Sequence, residues 1–138
     1  MSGSRRAAVH AVLLLATIAL GLASRRWGAA LPGFVAAYAG DTLWAMAVYW
    51  TLALVAPRIA GVQRAFLALA ISFGVEVSQL FHPAWLDALR RTRVGGWLLG
   101  FGFLWSDLAC YSAGVALAAT IDRLARGAPR RPRPLTPT

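Results

Sequence analysis

The chain has 138 residues, 59% of them hydrophobic and 14% charged, with a mean hydropathy of +0.60. Soluble domains carry about 25% charged residues, so this composition lacks the polar surface to face water on all sides, which argues against a water-soluble enzyme. All 14 basic residues are arginines; they oppose five acids, giving a net charge of +9, and the one cysteine excludes an internal disulfide and a cysteine metal cage.

Four apolar runs lie between the charges. The first, 7–24, is flanked by Arg5-Arg6 and Arg25-Arg26. A secretory signal would begin the same way, but everything downstream to residue 121 is equally membrane-like, so an uncleaved helix is expected. Segment 27–40 holds Pro32, Gly33 and Gly40 and is expected to lie along the interface. The second run, 41–56, opens at Asp41 and closes at Pro57-Arg58, and the third, 65–81, lies between Arg64 and His82-Pro83. Segment 95–105 (GGWLLGFGFLW) is too rich in glycine for a span and is expected to be interfacial or re-entrant. The fourth run, 107–121, leads into Asp122-Arg123.

Each run is close to the roughly 17–25 residues that cross a hydrocarbon layer, and none shows the alternation of a barrel strand. The expected fold is all-α, a membrane-embedded bundle of four transmembrane helices. It would form one domain over 1–122, followed by an Arg/Pro-rich tail at 123–138 that is expected to be disordered.

Arginines set the expected orientation. With four spans, the N-terminus, the 57–64 loop and the tail share a face holding nine arginines, against five on the other face. The positive-inside rule then places both termini in the cytoplasm. The same split argues against nucleic acid as a partner, because the charge lies on both sides of a membrane and forms no single stripe with stacking aromatics.

Asp41 at the start of span two, Glu76 late in span three and Asp107 at the start of span four all fall toward the extracytoplasmic end. Arg25 and Arg26, and Arg90, Arg91 and Arg93, fall there too, whereas the other end offers Asp122 against its nine arginines. Ser72, Glu76 and Gln79 recur at i, i+4 and i+7 and make one polar stripe on an apolar helix. An ionisable group inside a span costs about 2.5–3.5 kcal/mol on insertion scales, so Glu76 requires a partner, and Arg25 is the favoured one. Asp41 and Asp107 sit where helix N-caps would. Cys110, Gly114 and Ala118 recur every four residues, as at a close helix–helix contact. His10 and His82 lack metal-ligand spacing, and neither metal nor cofactor is expected.

Several elements occur in order: Ser24-Arg25-Arg26, Pro32-x-Phe34, Gly40-Asp41-x-Leu43-Trp44-Ala45, Glu76-x-Ser78-Gln79-Leu80, Trp85-Leu86 and Arg90-x-Thr92. Leu99-Gly100-x-Gly102-Phe103-x-Trp105-x-Asp107 and Tyr111-x-x-Gly114 complete the series. Over roughly 10–122 this resembles the domain of unknown function 2809 family, which implies a small multi-pass protein of the bacterial inner membrane with no established activity. Glu76-x-x-Gln79, Arg90, Asp107 and Gly114 also resemble the VanZ-like membrane proteins tied to glycopeptide resistance. Tyr111 stands where their pattern has asparagine.

Three function classes follow. Arg25, Arg26, Asp41, Glu76, Gln79, Arg90 and Asp107 could converge on a site for an anionic lipid or cell-envelope precursor head group, since arginine forks suit phosphate and carboxylate. The same charges could simply clasp the helices of a structural or assembly subunit. A small transporter would need oligomerisation and polar stripes on further spans. The chain shows no Ser–His–Asp set, phosphate loop or cysteine nucleophile, so catalysis is not indicated.

Overall fold

A computed structural model describes residues 3–100 and 102–127. Among them there is no strand. The helices are α1 (Gly3–Arg26), α2 (Gly33–Val55), α3 (Gly61–Ser78), α4 (Ala84–Arg90), α5 (Arg93–Leu99) and α6 (Trp105–Gly127), with a 3-10 turn at Gly28–Ala30.

Local chemistry sets these boundaries. Arg25 and Arg26 close α1, where cations complement the negative end of the helix dipole. Pro32 caps the start of α2, and Pro57, which has no N–H to donate, follows its end. Gln63 reaches back to accept from the Ala60 N–H at 3.1 Å and so starts α3. Pro83 precedes α4, and the Thr92 hydroxyl caps α5 by accepting from the Gly95 N–H at 3.0 Å.

The four long helices run up, down, up and down. His10 early in α1, Tyr49 in α2, Arg64 at the start of α3 and Asp122 late in α6 meet at one level. Arg25, Asp41, Gln79 and Asp107 meet at another. Arg64 and Glu76 are twelve residues apart on one helix, so the two levels are separated by ~18 Å along the bundle. Helix α2 is central and packs against α1, α3 and α6.

Its contact with α6 is close. A Cβ on Gly114 would stand 2.2 Å from the Thr42 carbonyl oxygen, and Cys110 and Ala118 are buried on the same face. The four-residue spacing of small side chains therefore marks a real helix–helix seam.

Polarity is inverted relative to a soluble protein. Arg64, Ser72, Glu76 and Asp122 are buried, while Leu15, Leu20, Phe66, Ile71, Leu117 and Leu124 are exposed. A bundle with this arrangement is stable where its surroundings are hydrocarbon. Helices α1, α3 and α6 are each long and apolar enough to cross a membrane. The protein is thus an all-helical, membrane-embedded bundle.

Three boundaries depart from expectation. Helix α2 begins eight residues before Asp41, so only 27–32 remain as the connection and segment 27–40 is not an interfacial strip. Packing against α1 outweighs the cost of about 1 kcal/mol for Gly40 inside a helix. Segment 95–105 is divided between α5, a turn at Gly100 and the first residue of α6. Helix α6 extends through 123–127, which had been expected to belong to the tail; the remainder of that tail, 128–138, lies outside the described residues.

Candidate functional site

Glu76 is fully buried, and its partners are neutral. Oε1 accepts the Leu104 backbone N–H at 2.7 Å, and Oε2 accepts the Tyr111 hydroxyl at 3.0 Å and the Gln79 amide at 3.2 Å. The expected Glu76–Arg25 pair is absent among the described residues. A carboxylate surrounded by N–H and O–H donors needs no adjacent cation to be satisfied. These bonds tie α3 to α6 and to the connection that precedes it.

Above this knot lies a polar pocket of about 180 Å³, walled by Arg25, Asp41, Trp44, Gln79, Asp107, Tyr111 and residues 96–100. Gly100 turns the chain at φ 62°, which favours glycine, and a Cβ there would stand 2.7 Å from the Gln79 amide nitrogen and displace that side chain. Among the described residues the buried Gln79 Oε1 has no hydrogen-bond partner. Asp41 feels the charges of Asp107, Arg25 and Glu76. Asp41 lies inside α2 and Asp107 in the first turn of α6, so neither is the N-cap that its position in the sequence suggested. The Arg25 guanidinium lies over Gly40, where an added Cβ would be 3.5 Å from its Nε. Among the described residues no carboxylate is within ion-pair distance of Arg25.

Two expected members lie elsewhere. Arg90 is buried and donates to the Ser78 carbonyl at 2.6 Å, the Phe81 carbonyl at 2.8 Å and Asp87 at 3.1 Å. It caps the turn that ends α3, where the Ser78 carbonyl also accepts from the Phe81 N–H at 3.0 Å. Arg26 faces an open cleft beside Trp27 and Trp97 instead of the polar pocket. The pocket therefore holds one arginine against two wall carboxylates with a third beneath them, a more acidic balance than the sequence suggested. Partial burial raises the Asp87 carboxyl, but hydrogen bonds from His82 and Arg90 outweigh it and hold the group below the usual carboxylate range.

The polar pocket shares Arg25, Trp44, Trp97 and Leu98 with an apolar groove of about 470 Å³ between α1 and α2, lined by Leu14, Ile18, Leu22, Leu43 and Leu52. A molecule filling both would place a polar end among charges and an apolar end in the groove. Among the described residues no three His, Cys, Asp or Glu side chains gather as a metal site.

Sequence reasoning missed a second polar knot at the other level. Asp122 Oδ2 accepts from the Tyr49 hydroxyl at 2.9 Å, from Arg64 at 2.9 Å and from Arg126. Its Oδ1 is 3.1 Å from His10 Nε2 and 3.2 Å from Arg126 Nε. His10 also stacks on Trp50 with ring centres 5.9 Å apart. The signal was present: Asp122 is the next four-residue step after Cys110, Gly114 and Ala118, and Arg64 precedes Ser72 and Glu76 on the buried stripe of α3.

The sequence pattern of a protein family described as "Protein of unknown function (DUF2809)" matches residues 30–115. The chain belongs to this family. The match covers Asp41, Tyr49, Arg64, Glu76, Gln79, Arg90, Asp107 and Tyr111, and it stops short of Arg25, His10, Asp122 and Arg126. It is narrower than the 10–122 stretch over which the motifs run, and the VanZ-like resemblance rests on the residue pattern alone. No solved structure matches the chain.

Proposed function

We propose that this protein is a four-span component of the bacterial inner membrane, with both termini cytoplasmic, that holds the polar head of a membrane amphiphile in the Arg25–Asp41–Asp107 pocket. One observation carries the proposal: a charged pocket and an apolar groove share Arg25, Trp44, Trp97 and Leu98 as a common wall. The pocket alone is smaller than the roughly 300–1,000 Å³ of typical small-molecule sites, whereas the groove falls within that range. The ligand therefore extends through both.

Charge balance refines the head group. Arg25 suits a phosphate or carboxylate, and Asp41 and Asp107 suit a cation. A zwitterionic head bearing a phosphate and a primary ammonium satisfies both, and better than a purely anionic head, which would face more carboxylates than arginines. A quaternary ammonium donates no hydrogen bond to a carboxylate, so a primary amine is favoured. Glu76 takes the clasp role, fixing the floor of the pocket and the start of α6. Helix α2 supplies the fourth span; its central position accommodates Asp41 and Tyr49 inside the membrane, and the exposed Thr51 hydroxyl donates to the Ala47 carbonyl of its own helix at 2.8 Å.

Photocrosslinking tests this directly. Phosphatidylethanolamine carrying a diazirine on its acyl chain, reconstituted with the protein in liposomes, is expected to label the facing sides of α1 and α2 between residues 14–22 and 43–52. Labelling spread evenly over the outer faces of α3 and α6 would contradict the proposal.

A further inference from the structure

The Asp122 level carries more positive charge than its carboxylate can neutralise. A cavity of about 380 Å³ opens there, walled by Arg6, His10, Arg64, Asp122 and Arg126 and backed by apolar residues such as Ala53. Asp122 is fully committed, with both oxygens engaged by His10, Tyr49, Arg64 and Arg126. Three guanidiniums against one carboxylate leave two positive charges unmatched. Arg64 is 3% exposed; among the described residues its buried Nε has no hydrogen-bond partner and Arg6 makes no ion pair. Arg64 is paired with Asp122, whereas Arg6 and Arg126 are exposed and line the cavity, so an anion that enters it meets cations whose charge no carboxylate matches.

We infer that this cavity binds a phosphate-type oxyanion on the side of the membrane where α1 begins. Phosphate is the group whose several oxygens accept forked guanidinium donors from different directions at once. Exposed Arg6 and Arg126 and buried Arg64 all line the cavity, the last two held in place by Asp122. Asp122 thus positions the cations and does not contact the ligand as an acceptor. The site is separate from the Arg25–Asp41–Asp107 pocket, at the opposite level of the bundle. The oxyanion can come from an anionic phospholipid head or from free phosphate.

Nanodiscs of phosphatidylcholine with a minor fraction of phosphatidylglycerol separate the two sources. If a lipid supplies the oxyanion, the wild type is expected to retain one phosphatidylglycerol through native mass spectrometry. Arg6→Glu should lower that retention about tenfold, and Arg6→Gln should lower it less, in line with loss of one charge-assisted contact. Arg123→Glu, on the same end of the bundle but outside the cavity, should leave it unchanged. If free phosphate is the source, inorganic phosphate should raise the melting temperature in pure phosphatidylcholine discs for the wild type and not for Arg6→Glu. The inference is overturned if neither phosphatidylglycerol nor phosphate has an effect, or if Arg123→Glu weakens retention as much as Arg6→Glu does.

Discussion

Replacing Asp122 with asparagine removes a charge and almost no volume. The carboxylate it removes holds Arg64, which is 3% exposed, together with Arg126, His10 and Tyr49. Arg126 is 37% exposed and can turn toward water or head groups, so its share of the loss is small. Arg64 cannot do so, because it is buried and its guanidinium lies against Tyr49, 5.6 Å from the ring centre, with the Ile59 carbonyl at 3.3 Å. Leaving one buried charge without its partner costs about 3–5 kcal/mol, and a single Tyr hydroxyl bond to the remaining amide recovers little of this. Asp122→Asn is therefore expected to destabilise the bundle by about 3–5 kcal/mol, measured by steric trapping in an uncharged detergent. Arg64→Met in the same chain removes the stranded charge and should restore at least half of the loss. The reasoning fails if Asp122→Asn stays within about 1 kcal/mol of wild type, or if Arg64→Met adds to the damage instead of relieving it.

Other consequences follow from the same contacts. Tyr111→Phe removes one donor from buried Glu76 and should cost about 1–3 kcal/mol; in Glu76→Gln the same change should cost less, and a double-mutant cycle measures the difference. Gly114→Val forces α2 and α6 apart, because even a Cβ would stand 2.2 Å from the Thr42 carbonyl; about 1–3 kcal/mol of destabilisation is expected in the same unfolding assay. Asp87 has a folded pKa below its unfolded value, so it stabilises above the ordinary carboxylate range, and this contribution is lost as pH falls through the folded value. Acidification below about pH 4 should therefore loosen the His82–Asp87–Arg90 contacts before the long helices melt, which backbone amide exchange across 78–91 would reveal as early loss of protection.

Much of the fold was legible because lipid exposure demands long apolar runs, and arginine and proline punctuate them clearly. Helix starts were harder to place. Asp41 looked like a cap because Gly40 precedes it, yet packing of α2 on α1 carries the helix back to Gly33. The polar stripe Ser72–Glu76–Gln79 did mark the core face of α3, since all three are buried. The partners of Glu76 were not legible. Two of its donors, the Leu104 N–H and the Tyr111 hydroxyl, are neutral groups 28 and 35 residues away, and charge counting cannot find a backbone amide. Arg90 was misplaced for a related reason: its partners are mainly carbonyls, which every residue possesses and no sequence displays. Asp122 and His10 were visible only as isolated charges until the seam of small residues placed α6 against α2.

The central claim is that the Arg25–Asp41–Asp107 pocket selects a head group with both a phosphate and a primary amine. Native mass spectrometry of protein released from membranes containing equal phosphatidylethanolamine and phosphatidylcholine tests it most directly. These lipids share the phosphate and differ in the ammonium. Wild type is expected to retain phosphatidylethanolamine preferentially, and Asp41→Asn with Asp107→Asn is expected to abolish that preference while the bundle stays folded. Equal retention of the two lipids by wild type, or a preference unchanged in the double variant, would contradict the account.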